Sequence, residues 1–339
     1  MPRPTVNKQW LLAARPHGML SEASWQLREA PVPQLAPGEA LVETLYLSCD
    51  PTQRGWMEDR PSYMPPVGLG EVMRAVSVGR VVESRAPSLE VGDLVEGMAG
   101  WQQYSVVTGG GPFGAAKVPA GTDPQQLMSV LGLTGLTAYF GLLDLGAPKA
   151  GETVVVSGAA GATGSIAGQI ARIAGCKVIG IAGGPDKCAW LTGEARFDAA
   201  IDYKHEDVRA RLRALAPHGV DVYFDNVGGD ILDAVLEQIR MKARVVLCGG
   251  ISAYNEIEPP PGPRNLMNLV IQRARMEGFI VIDYAARFGE ARDALKRWVD
   301  AGEIVYGVDV VQGIERAPEA LLRLFYGKNL GKQLVRVAE

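Results

Sequence analysis

At 339 residues, with 47% hydrophobic and 21% charged residues and a formal net charge of −4, the chain is too long for one ordinary core and has no excess of basic residues. That balance excludes a nucleic-acid binder working through a broad cationic face and suits two domains, each with its own apolar interior. Met1–Trp10 lacks the apolar core of a signal peptide and Cys49, Cys176, Cys188 and Cys248 form no short-spaced pair, so a cytoplasmic protein with reduced thiols is expected.

From the N-terminus, short runs alternate apolar and polar residues between Gly and Pro breaks, as in Glu39–Leu47 and Val78–Glu83, and Val91–Gly97 turns into a further strand. A compact β-rich, barrel-like domain is expected over residues 1–125. The uncharged stretch Pro124–Leu143 is long enough for a membrane span, but Gln125, Gln126, Thr134, Thr137 and three glycines interrupt it. It reads as a buried helix and loop, not as a contact with lipid.

Beyond this point the rhythm changes to apolar strands separated by helical segments, the pattern of βαβ units on a parallel sheet. Six strands are expected to begin near Thr153, Lys177, Ala199, Val220, Ala243 and Met276. Helices are expected near residues 165–174, 186–193, 207–216, 230–239, 264–273 and 287–301. The fold class is therefore α/β, with a doubly wound, six-stranded Rossmann domain over residues 126–311. After Gly302 come the short runs Ile304–Tyr306 and Val308–Val311, a helix near Ala317–Tyr326 and a strand Gln333–Val337, and residues 312–339 are expected to complete the first domain.

The first βα unit of the second domain carries the strongest chemical signal. Its turn reads Ala159-Ala-Gly161-Ala162-Thr163-Gly164, with alanine at the first position of the dinucleotide fingerprint. Gly161 allows backbone to approach a pyrophosphate, Gly164 allows the helix to pack on the strand, and the helix N-terminus supplies free N–H groups and a favourable dipole. An NAD site normally has an acid at the tip of the second strand. Here Lys177–Ala182 ends in Gly183-Gly184-Pro185-Asp186-Lys187, so the tip is neutral and Lys187 is placed for the 2′-phosphate of NADP(H), with Asp186 read as a helix cap. His17, His205 and His218 are scattered and do not have metal-ligand spacing.

The chain resembles the zinc-free medium-chain dehydrogenases/reductases of the prostaglandin reductase and plant alkenal double-bond reductase type. The likeness rests on seven ordered motifs: Leu45–Pro51 with Arg54-Gly55, Gly70–Met73, Thr134–Tyr139, Phe224–Gly229, Cys248–Asn255, Arg275–Phe279 and Asn329–Lys332. It implies a GroES-like first domain and a cofactor track through Gly161, Ala162, Thr163 and Gly164 at the pyrophosphate, with Lys187 and Tyr203 at the 2′-phosphate. Asn226 would lie along the cofactor, followed by Cys248, Gly249, Gly250, Ile251, Ser252, Ala253 and Tyr254 on the nicotinamide side. Phe279, Ile280 and Val281 would bracket the nicotinamide, and Asn329 would reach it from the C-terminal segment. It also implies a small unsaturated carbonyl substrate and a homodimer joined through exposed sheet edges.

Two departures bear on the substrate pocket. Asp50-Pro-Thr-Gln-Arg54 replaces the Asp-Pro-Tyr-Met-Arg frequent in relatives, which removes an aromatic wall, and Ile271 stands where some relatives have the tyrosine credited with proton donation or carbonyl binding. The zinc alcohol dehydrogenases of the wider superfamily pair a cysteine with a Gly-His-Glu segment and a four-cysteine lobe. This chain has Cys49, but Gly70-Glu71 lacks the histidine and no lobe follows, so no metal is expected. Hydride exchange with an unactivated alcohol calls for a Lewis acid or strong proton relay, whereas an enone accepts hydride at its β-carbon and needs only hydrogen-bond donors at the developing enolate. The expected reaction is NADPH-dependent reduction of the C=C bond of an α,β-unsaturated aldehyde or ketone. Tyr254 is the first candidate hydroxyl and Tyr63 the second. Quinone reduction, or NADPH binding without turnover, remain open alternatives.

Overall fold

The computed structural model describes residues 3–110, 114–119 and 121–338, and the chain folds as two compact units. The first comprises Met1–Met128, Asp309–Lys328 and Gln333–Glu339, and the second Ser129–Val308 and Asn329–Lys332.

The first unit is built on antiparallel strands. β1 (Val6–Leu12) and β2 (Trp25–Pro31) form a hairpin, and β3 (Glu39–Ser48) pairs with β4 (Ser77–Ser84) and with β6 (Tyr104–Thr108), while β5 (Leu94–Gly97) joins β4 to β7 (Ala116–Lys117). Alternation along these strands sends Leu12 and Leu47 into a core that also takes Met73 from the segment before β4, and there Trp25 and Trp101 stack with centroids 5.0 Å apart. Arg54, on the short helix Thr52–Trp56, is 2% exposed. It pairs with Glu58 at 2.8 Å and donates to the Gly18 carbonyl at 3.1 Å, as a buried guanidinium must. The β1–β2 hairpin and the Thr52–Trp56 helix were not among the sequence expectations.

The second unit is a six-stranded parallel sheet of β8 (Thr153–Ser157), β9 (Lys177–Ala182), β10 (Ala199–Asp202), β11 (Val220–Asp225), β12 (Ile239–Leu247) and β13 (Arg275–Gly278), in the order β10-β9-β8-β11-β12-β13. β8, β9 and β11 are almost wholly buried, which is why they read as continuous apolar runs. The last strands, β14 (Val308–Gln312) and β15 (Lys332–Arg336), belong to the seven-stranded sheet of the first unit, where β15 pairs with β3 from Leu334 to Arg336.

Three expectations shift. β12 begins at Ile239 rather than Ala243, because Lys242 takes a left-handed φ of 64° and lets a charged segment join the sheet with a register shift against β11. The helix expected at 264–273 contracts to Met267–Ile271, and Ile304–Tyr306 is an irregular segment rather than a strand. Pro124–Leu143 is broken at Ser129–Gly132 into the helices Pro124–Met128 and Leu133–Phe140, the second running into a π-turn at Gly141–Gly146.

Candidate functional site

The chain enters the sheet at β8, winds outward through β9 and β10, then returns to β11 on the other side of β8, so the carboxyl ends of β8 and β11 diverge into a crevice. There Gly161 begins the helix Ala162–Ile173 in extended backbone, and no side chain caps it. The first N–H groups and the positive end of the helix dipole are thereby available to an anion. A Cβ on Gly164 would press on the Gly158 carbonyl oxygen and lie 3.0 Å from Ala159 Cα, so only hydrogen fits where the helix crosses the strand end. Ala162 and Thr163 fill the first turn of that helix. The C-terminal segment completes this turn: Gly331 donates its N–H to the Ala160 carbonyl at 2.8 Å, and Asn329, 8% exposed, donates Nδ2 to the Gly331 carbonyl at 2.8 Å.

Beyond β9, Gly183 and Gly184 carry no side chain, and Lys187 stands in the first turn of the helix Pro185–Gly193. Asp202, at the end of β10, organises this corner by accepting the Gly184 N–H at 2.8 Å, the Lys204 N–H at 3.1 Å and His205 Nδ1 at 2.7 Å. The His205 bond first, then the Gly184 N–H, hold its carboxyl below the usual carboxylate range. Tyr203 follows it, half in solvent, with its ring over Gly183.

On the other side of the crevice, the turns after β11 and β12 are tied to one carboxylate. Asp225 is fully buried, and its Oδ1 accepts Ser157 Oγ at 2.8 Å, Tyr223 Oη at 2.7 Å and the N–H groups of Val227 and Gly228, each at 3.0 Å. These donors offset the desolvation of the carboxylate, while Oδ2 takes no hydrogen bond from the described residues. The Asp225 carbonyl accepts Cys248 N–H at 2.9 Å and Gly249 N–H at 3.1 Å, so the same residue also sets the turn after β12. Asn226 is fixed by its N–H to Ser157 Oγ at 2.9 Å and its Nδ2 to the Ser157 carbonyl at 2.7 Å, and its own carbonyl receives the Ile251 N–H at 3.2 Å. Ser252 Oγ donates to the Val227 carbonyl at 2.6 Å, and Tyr254 Oη accepts the Gly250 N–H at 3.2 Å. The short 3-10 turn Ile251–Ala253 is closed by these bonds.

An open cavity of about 600 Å³ lies at the carboxyl ends of β11–β13, lined by Asp225, Gly228, Leu232, Leu247, Cys248, Gly249, Gly278, Phe279, Ile280 and Asp283. Of the residues expected from the sequence, it gathers Cys248, Gly249, Phe279 and Ile280. Val281 opens the 3-10 turn that follows, and Phe279 meets Tyr284 edge to face at 6.3 Å. Burial first, and the charge of Asp225 second, push the Cys248 thiol up to about 12, which makes it a packing group rather than a nucleophile. Asp225 and Ser157 were missed. The available signal was an acid closing the otherwise apolar run Val220–Asp225 directly before Asn226-Val-Gly-Gly.

In the first unit, Tyr63 is 47% exposed, and its hydroxyl shares a hydrogen bond with the Thr52 hydroxyl and accepts Trp56 Nε1 at 3.2 Å. Ile271, at the position of the absent tyrosine, is exposed. Among the described residues no group of three or more His, Cys, Asp or Glu side chains is arranged to hold a metal ion.

Residues 8–114 match the family model described as N-terminal domain of oxidoreductase, and residues 162–297 match the one described as zinc-binding dehydrogenase. The chain is 42% identical over 337 residues to the NADPH-dependent curcumin reductase of Escherichia coli (strain K12), covering 98% of this chain and 97% of that one. It is 40% identical over 339 residues to the NADP(+)-dependent 2-alkenal reductase of Nicotiana tabacum, covering 98% of each. The crystal structure of CurA in complex with NADPH from Vibrio vulnificus superposes with a TM-score of 0.93 at 41% identity, covering 98% of this chain and 99% of that one. The architecture is thus an N-terminal GroES-like domain and a C-terminal Rossmann NADP-binding domain.

Proposed function

We propose, from the premise that this chain belongs to the zinc-free medium-chain dehydrogenase/reductase family and is related to its prostaglandin and alkenal reductases, a reading of how its residues serve the reaction. The protein is an NADP-dependent oxidoreductase that reduces the C=C bond of α,β-unsaturated aldehydes and ketones. The observation that carries this reading is the crevice itself: an uncapped helix N-terminus, a glycine turn without room for a methyl group, and a tip of β9 without an acid.

NADPH, when bound, supplies a hydride to the β-carbon. The Gly161–Gly164 turn holds the pyrophosphate through backbone N–H groups, and Lys187 and Tyr203 receive the 2′-phosphate. Asn226, the segment Cys248–Tyr254, Phe279–Val281 and Asn329 orient the nicotinamide half, with Asp225 setting the turns that present them. Charge arriving at the substrate carbonyl oxygen requires a hydrogen-bond donor. Tyr254 is our first assignment, its phenol held by the Gly250 N–H with its own proton as the donor, and Tyr63, beside Thr52, is the second. Protonation at the α-carbon then comes from water or one of these hydroxyls.

The protein is also proposed to act as a cytoplasmic homodimer. β13 is an edge of the sheet, and Met267, Val270, Ile271 and Ile282 are exposed on neighbouring elements, an apolar margin that pairing with a second copy would cover.

Following NADPH absorbance with a panel of enones, enals and quinones tests the activity. The expected result is oxidation with the conjugated carbonyls, strongly reduced in Tyr254→Phe if that hydroxyl stabilises the enolate. Tight NADPH binding with no turnover on any acceptor would overturn the enzyme reading, and turnover on quinones alone would move it to quinone reduction.

A further inference from the structure

The corner beyond β9 holds one more cation than the family pattern accounts for. A Cβ built on Gly183 would stand 2.9 Å from Tyr203 Oη, 2.9 Å from Tyr203 Cε1 and 2.9 Å from Lys204 Cε. Two consecutive side chains therefore fold back over the tip of β9, in the space that the side chain of the tip residue would otherwise fill. The ammonium of Lys204 lies one bond beyond that Cε, and it forms no ion pair among the described residues. The backbone beneath is fixed independently: Asp202 Oδ1 accepts both the Gly184 N–H and the Lys204 N–H, so the glycine tip and the returning loop are held to the same oxygen.

In a doubly wound domain this tip is where the adenosine ribose lies, and where an acid on the strand end reads a free 2′-hydroxyl. Here Gly183 carries no acid, and a side chain in its place would meet only the movable ends of the exposed Tyr203 and Lys204 side chains. Asp186 stands beside Lys187 in the first turn of the helix Pro185–Gly193, whose N-cap is Gly184, while the acids on the β10 side are engaged. Asp202 is bound by His205 and two backbone N–H groups, and Glu206 pairs with Arg211 at 2.7 Å. A phosphate at this point would meet Lys187 from the helix Pro185–Gly193 and Lys204 from the loop after β10, on two different elements.

We propose that Lys204 is a second cation for the 2′-phosphate of NADPH, brought there because its side chain and that of Tyr203 return over the glycine tip of β9. The assignment rests on the NADPH reading above. A phosphate held between two ammonium groups and a phenol gains directional hydrogen bonds as well as charge, and losing one partner of such a set costs about tenfold in affinity at moderate ionic strength.

The test uses the full-length protein and four probes, NADPH, NADH, 2′,5′-ADP and 5′-AMP, with dissociation constants from calorimetry. Lys204→Gln is expected to weaken NADPH and 2′,5′-ADP by about tenfold while NADH and 5′-AMP stay within about twofold, and Lys204→Arg is expected to restore most of the loss. Gly183→Ala is expected to weaken the two phosphorylated probes less than Lys204→Gln does, since the ends of both side chains can give way, and its thermal midpoint reports whether the fold is kept. An unchanged NADPH constant in Lys204→Gln beside a selective wild type would overturn the role of Lys204 alone, as would an equal loss for NADH. Wild-type protein binding NADPH no more tightly than NADH would overturn the coenzyme reading and this assignment with it.

Discussion

Replacing Gly164 by alanine tests the crevice directly. The added methyl meets backbone rather than a movable side chain, the Gly158 carbonyl oxygen and Ala159 Cα at 3.0 Å, so the helix or the turn has to give. Retreat of the helix would also open the packing one turn later on the same face, where Gly168 lies against Phe197, which is 3% exposed. Overpacking of this kind costs about 1–3 kcal/mol, from which the better helix propensity of alanine returns about 0.5–1 kcal/mol. A net loss of roughly 1–2 kcal/mol is expected, lowering the unfolding midpoint of a domain of this size by about 3–6 °C. NADPH affinity should fall as well, by about threefold to tenfold, because the shifted helix carries with it the N–H groups proposed to face the phosphate. Gly289→Ala is the control: that residue lies in the helix Phe288–Asp300 with nothing within 4 Å of an added Cβ, and its stability should be unchanged or improved. If Gly164→Ala matched the control in both midpoint and NADPH titration, the account of the glycine turn would be wrong.

Other perturbations address the network around it. Asp225→Ala strips the acceptor from two hydroxyls and two backbone N–H groups in a buried site and should cost about 3 kcal/mol in urea unfolding, with Asp225→Asn milder because Oδ1 survives; a loss under about 1 kcal/mol for the alanine variant would deny Asp225 its organising role. Burial alone would raise the Glu152 carboxyl, but hydrogen bonds from Arg244 and the Lys149 N–H outweigh it and hold it below its ordinary 4.5. Its stabilising contribution is therefore complete above about pH 4.5 and lost as pH falls through the lowered folded value, so Arg244→Gln should flatten the acid limb of a stability–pH curve, and an unaltered limb would contradict this. With the Cys248 thiol pushed up to about 12, little thiolate is present at pH 8, and iodoacetamide should label Cys248 faster in urea than in the native protein by mass spectrometry.

What the sequence made legible follows its physics. β8, β9 and β11 are buried on both faces, and a strand with water on neither side must be apolar throughout, so each reads at once, as does the glycine turn after β8. β12 starts in Ile239-Arg-Met-Lys-Ala, where exposed charged residues break the run and Lys242 bends the backbone through a conformation that no periodicity encodes. The helix Met267–Ile271 contains no buried residue, so the apolar stripe that predicted ten residues there is not the inward face of a longer helix. Of the proposed site, Lys187 and the glycines are legible because charge and missing side chains are read residue by residue. Asp225 is not, since its role comes from Ser157, Tyr223, Val227 and Gly228, which meet only when two strands lie side by side. The role proposed for Lys204 is hidden for a related reason: it depends on a side chain returning over Gly183, about twenty positions earlier.

The hydrogen bond from Gly331 to Ala160 also has a temporal side. During synthesis the six parallel strands, up to Gly278, leave the ribosome well before Asn329–Lys332 does, so the nucleotide-binding half is translated in full yet stays unfinished at its most important turn. Closure of that turn thus waits for Asn329–Lys332. A polypeptide cut short there would keep its sheet and lose the stitch that closes the mouth.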